Sequence, residues 1–110
     1  MESSPFKIIK TPRFRVQFIL GADDDPLTVE NIDAVVTAPD KTRWSVTFLT
    51  LGEISRIMDR WVGTGEALGG HFFQCPDLVI VREGGLDAMV KALEGIFDEG
   101  GPEGVLPRLN

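Results

Sequence analysis

Apolar and polar side chains alternate at three places in the first half of the chain, and apolar ones recur at helical spacing at two places in the second. Phe14, Val16, Phe18 and Leu20 interleave with Arg13, Arg15, Gln17 and Ile19, the period of two expected of a strand with one buried face. Gly21 ends it, and Asp23-Asp24-Asp25-Pro26 reads as a turn, because aspartate bonds its own backbone and proline draws the preceding residue away from helix. A second strand is predicted over 32–38, closed by Pro39-Asp40. Residues 43–49 alternate again, with Trp44, Val46 and Phe48 on one face, and the intervening link is short enough for a hairpin. Three strands with tight links predict an antiparallel meander.

Thr50-Leu51-Gly52-Glu53 fits a capping box at the start of a helix. Leu51, Ile54, Ile57, Met58, Trp61 and Val62 form its apolar stripe, and Gly63 and Gly65 stop it. Residues 71–74 read as a short strand, and the continuously apolar 78–81 as a central one with Cys75-Pro76-Asp77 as the bend between them. Leu86, Met89, Val90, Leu93 and Phe97 mark a second amphipathic helix. Asp87 favours its N-terminal dipole, and Gly100-Gly101-Pro102 end it. The tail, 103–110, has Val105, Leu106 and Leu109, enough to dock but not to fold alone.

The order βββαββα predicts the α+β class. The expected architecture is a two-layer sandwich, with a mainly antiparallel sheet of four to five strands, two helices on one face and the other face partly open. With 110 residues, 43% of them hydrophobic, and no repeat or linker, the chain reads as a single α+β domain over 1–110.

Charge narrows the partners. A formal net charge of −6 argues against nucleic acid and against an anionic membrane, both of which need clustered Lys and Arg, and favours a basic or neutral protein. The spread is uneven: Lys7, Lys10, Arg13 and Arg15 stand against Glu2 near the start, whereas Asp23, Asp24, Asp25, Glu30 and Asp33 follow without a basic residue among them. An acidic side is expected, either solubilising or facing a partner. One cysteine, Cys75, excludes an internal disulfide and fits a reducing compartment. No apolar run approaches the ~20 residues of a membrane helix. Charge and proline in MESSPFKIIK oppose a secretory leader, so the expected location is cytoplasmic.

Candidate chemistry is sparse. His71 and Cys75 are the only residues of their kinds, and in an extended segment they would lie about 13 Å apart, too far for a nucleophile and its base. Gly63-Thr64-Gly65 with Gly69-Gly70 leaves a helix C-terminus rather than entering an N-terminus, the reverse of a phosphate-binding loop. The side-by-side acids Asp23 to Asp25, with Pro26 behind them, lack the alternation of a calcium loop. No cofactor and no metal are implied. Trp44 and Trp61 are the candidate contact anchors if exposed, although both fall on apolar stripes.

The helix text LGEISRIMDRWVGTGE and the strand text DLVIV after HFF, within 50–81, resemble a family of small acidic bacterial cytoplasmic proteins. That resemblance implies a fold and no activity. In size, acidity and strand-helix mixture the chain also resembles immunity proteins of bacterial toxin systems. The expectation is a non-enzymatic acidic protein-interaction domain, in its immunity-like form one that occludes a toxin. It would use Asp23, Asp24, Asp25, Glu30, Asp33, Trp44 and Trp61 toward its partner. The alternative is a small-molecule-binding domain or minor enzyme using the open sheet face or a groove between the helices, and self-association is a further option.

Overall fold

The alternating segments form one twisted sheet. A computed structural model describes residues 6–110, so the parts of the reading that rest on residues 1–5, the charge of Glu2 and the start of the leader comparison, lie outside the described residues. The elements in chain order are β1 (Phe6–Lys10), β2 (Arg15–Ile19), β3 (Asn31–Thr37), β4 (Arg43–Thr50), α1 (Leu51–Thr64), α2 (Glu66–Gly70), β5 (Leu78–Val81) and α3 (Leu86–Asp98). The five strands lie in the order β1-β2-β3-β4-β5. The first four are antiparallel to their neighbours and β5 runs parallel to β4, so the sheet is mixed, mostly antiparallel, in an α+β fold.

The period of two sorts the strands into faces. Val16, Val36 and Trp44 lie opposite one another in register, as do Phe18, Ala34 and Val46, and all six are buried. Phe48, opposite Ile32, completes this face. Leu86, Met89 and Leu93 of α3 pack into the same core cluster, joined by Phe14, Val29, Val81 and Leu106. Phe97 stacks on Phe14 with ring centroids 4.9 Å apart.

Of the two helices that the sequence pattern places on one face, it is α3 that fills this cluster. No α1 residue belongs to the cluster that α3 fills. The buried α1 residue is Ile57, and Leu49, which points to the opposite side of β4 from Phe48, is buried apart from the cluster as well. The stripe of α1 is spent on the end of β4 and on the segment that follows it: Trp61 stacks on Phe73 at 5.6 Å. That use of Phe73 accompanies a difference from the sequence pattern, since residues 71–74 form no strand. The second edge of β4 has no room for them. β5 pairs with 47–50, and the tail takes the rest through Ser45 N–H to Pro107 O at 3.0 Å and Leu109 N–H to Arg43 O at 2.8 Å.

Helix α1 begins where predicted, with Thr50 Oγ1 accepting from Glu53 N–H at 3.1 Å. Only half of the capping box forms, because Glu53 Oε1 accepts from Arg56 and the Thr50 amide donates to Glu30 O. Gly65, at φ +86°, ends the helix by donating to Trp61 O; Gly63 lies within it. Thr50→Ala is expected to cost about 1 kcal/mol, read as a shift in urea midpoint at unchanged slope. Past Gly65, α2 is a left-handed turn, with Ala67, Leu68 and Gly69 all at positive φ. The β3–β4 hairpin is closed by Lys41 N–H to Ala38 O and Ala38 N–H to Thr42 O, both 2.9 Å, and it places Lys41 at φ +73°.

Candidate functional site

With α3 on one face of the sheet, no helix of the described residues lies over the other face of β1 to β3, and what alternation sends there is exposed or half-buried. Phe6 and Ile19 stand directly opposite each other, Ile8 stands opposite Gln17, and Gln17 stands opposite Val35. Phe6, Ile8 and Ile19 keep 45%, 43% and 45% of their surface in contact with water, a contiguous apolar group at the β1 side of an open sheet. Grouped apolar surface of this kind, rimmed by polar residues, marks an interaction site more than a scattered exposed leucine does.

The rim at the far end of the same face is cationic. Lys10 stands opposite Arg15, Arg15 opposite Thr37, and Thr37 opposite Arg43, a single row across four strands. Arg15, Gln17, Val35, Thr37, Lys41 and Arg43 line a hollow of about 500 Å3. Among the described residues no carboxylate pairs with Lys10, Arg15, Lys41 or Arg43, whereas Arg13 holds Glu94 and Asp98, and Arg56 holds Glu30 and Glu53.

The residues singled out from the sequence are not brought together. Asp24 Oδ2 accepts from Gly21 N–H at 2.7 Å and Asp25 Oδ1 from Leu27 N–H at 2.9 Å, so these acids build the β2–β3 turn. Glu30 accepts from the Thr50 hydroxyl at 2.7 Å and pairs with Arg56 at 2.9 Å; the hydroxyl first and the guanidinium second hold its carboxyl below the usual range. Asp23, Asp24, Asp25, Glu30 and Glu53 line a shallow hollow of about 250 Å3. Asp33 lies apart from them on the open face, sharing the Thr47 hydroxyl, 2.9 Å away, with Asp77. Trp44 is core and Trp61 is half-buried against Phe73, so neither lies in the exposed apolar group. Sequence reasoning missed Phe6, Ile8 and Lys10 because β1 itself was missed. It missed Ile19 because that residue falls on the polar phase of its strand, a misplaced isoleucine that was the available signal.

His71 and Cys75 each have their own partner. His71 Nδ1 lies 2.6 Å from Leu68 O, and Cys75 Sγ donates to Asp77 Oδ1 at 3.1 Å. Burial first, and then the Asp77 carboxylate, push the Cys75 thiol up, away from the thiolate a nucleophile needs. Burial alone would raise Asp77, but hydrogen bonds from Cys75, Thr47 and Ser45 bring it below the usual carboxylate value. Among the described residues, no group of three or more His, Cys, Asp or Glu is placed to hold a metal ion. Of the glycines after α1, Gly65 and Gly69 have open space and supply positive φ, whereas Gly70 is close-packed, a Cβ there lying 2.2 Å from Met58 O.

On the α3 side, a broader open groove of about 980 Å3 is lined by Lys7, Ile9, Leu27, Leu86, Val90 and Lys91 among others. No helix of the described residues is long and apolar enough to cross a membrane. Compared with family models, with curated proteins and with solved structures, the chain matches none.

Proposed function

We propose that the protein is a non-enzymatic interaction domain of the bacterial cytoplasm that engages a protein partner through the open face of its sheet. The observation that carries this reading is the half-exposed group centred on Ile8 and Ile19, with Phe6 beside them, on a face of β1 to β3 over which no helix of the described residues lies. Burying such side chains stabilises a complex by roughly 25 cal/mol per Å2 of apolar surface removed from water, less the cost of ordering. The net charge of −6 favours a partner that is basic or neutral as a whole, with the hollow around Asp23, Asp24, Asp25 and Glu30 steering the encounter. Its sharpest form is immunity-like, occlusion of a toxin surface, and the support for that form is likeness of size and composition.

The test is calorimetric titration against the product of a neighbouring gene. Ile8→Glu is expected to weaken binding at least tenfold while leaving the melting temperature within a few degrees, because the side chain is already half in water. Unchanged affinity in that variant rejects the face. If light scattering gives twice the chain mass and Ile8→Glu halves it, the partner is a second copy.

The groove beside α3 supports a second reading, a small-molecule-binding domain or minor enzyme, since its volume lies in the range of ligand sites. A small molecule that raises the melting temperature of the parent but not of Val90→Trp identifies it.

A further inference from the structure

We propose that Lys10, Arg15, Lys41 and Arg43 form a carboxylate-binding subsite of the open face, which takes an acidic segment of the protein partner. It rests on the open-face reading above. Three observations converge on it.

First, among the described residues none of the four cations forms an ion pair, in a chain whose acids outnumber its bases, 17 to 11. Two of them, Lys10 and Arg15, are direct cross-strand partners, an arrangement that is destabilising for like charges and is relieved by an anion laid over both.

Second, the hairpin places Lys41 at φ +73°, where glycine or asparagine is the favoured residue. The chain keeps a long cationic side chain there, on the wall of the same hollow as Arg15 and Arg43. A residue held in a disfavoured conformation at the rim of a surface hollow points from structure toward use.

Third, the spacing selects the ligand. Neighbouring strands lie about 4.8 Å apart, so Lys10 and Arg15 are separated by one interval and Arg15 and Arg43 by two, about 10 Å. A single small oxyanion cannot bridge such a row, but successive acidic side chains of a polypeptide can. The row is also continuous with Gln17 and Val35 and, through them, with Ile8, so a peptide that lays carboxylates on the cations can lay apolar residues on the exposed group. Four cations on a molecule of net charge −6 are too few for nucleic acid or an anionic membrane surface.

The test uses the full chain, isotope-labelled, titrated with a synthetic peptide alternating leucine and glutamate and with the same peptide carrying glutamine for glutamate. Separate arms use inorganic phosphate and phosphatidylglycerol vesicles. The glutamate peptide is expected to bind at least tenfold more tightly than the glutamine peptide at low salt and to shift the amides of Lys10, Arg15, Lys41 and Arg43. Arg43→Gln and Lys41→Gly are each expected to weaken it about threefold to fivefold, and Arg60→Gln, on the water-facing side of α1, to leave it unchanged. Lys41→Gly is at the same time expected to raise the melting temperature by about 3 °C, so its loss of affinity is not a loss of fold. Equal binding of the two peptides, equal weakening by Arg60→Gln, or binding of phosphate or vesicles as tight as that of the glutamate peptide would overturn the subsite. If the cation variants bind the partner normally and Ile8→Glu does not, the subsite falls and the face stands; if Ile8→Glu also binds normally, both fall.

Discussion

Gly85→Ala is expected to destabilise the protein by about 3 kcal/mol or more. Gly85 precedes α3 at φ +98° and ψ 150°, a region that is essentially reserved for glycine. Its amide donates to Val29 O at 2.8 Å, and the next amide, of Leu86, donates to Pro26 O at 2.9 Å. A Cβ on Gly85 would lie 2.5 Å from Leu27 O, and backbone cannot move aside as a flexible side chain can. The methyl must therefore break the bonds that tie the start of α3 to the β2–β3 turn, and α3 carries Leu86, Met89 and Leu93 of the core. Urea unfolding followed by far-ultraviolet circular dichroism measures the loss. A decrease below about 1 kcal/mol would show that the turn relaxes and that the contact is not tight.

Phe48→Ala is expected to cost about 3–5 kcal/mol, a large share of the 5–15 kcal/mol that domains of this kind possess. Phe48 has no exposed surface, lies opposite both Ile32 and Val79 in the sheet, and faces Phe18 with ring centroids 6.1 Å apart. It sits where the antiparallel and parallel parts of the sheet meet, so the vacated volume has rigid backbone on both sides and little means of collapse. Phe72→Ala, at an exposed phenylalanine, is the control and is expected to change stability by less than about 1 kcal/mol. Similar losses for the two variants would mean that the face assignment of β4 is wrong.

What could be read from the sequence followed from how cleanly each segment separates its two sides. β2, β3 and β4 put apolar residues on alternate positions because one side is sealed by α3, and their faces follow directly from the order of letters. α1 and α3 declare themselves by stripe and by their glycine stops. β1 does not, since FKIIK places Phe6 and Ile8 on the open side and Lys7 and Ile9 on the other, leaving neither side purely apolar. Residues 71–74 have the composition of a strand and no available edge to pair with, a fact about β5 and the tail rather than about HFFQ itself. The candidate face was invisible for the same reason. Its cations come from β1, β2 and the β3–β4 hairpin, spread along the chain, and only the pairing register lines them up. The acids, adjacent in sequence, drew attention as a cluster, yet most of them are occupied in turns, a cap and an ion pair.

The edge of β4 is closed by two segments that are synthesised after it, 78–81 and 107–109. As the polypeptide leaves the ribosome, β1 to β4 can pair in sequence, each strand with the one before it. The last of them must then wait with a naked row of amides and carbonyls, its 47–50 part while about thirty further residues are made and its 43–45 part while about sixty are. During that interval the nascent chain is exposed to strand-to-strand capture by its neighbours on the polysome, so residues 78–81 and 107–109 act as a built-in guard against aggregation.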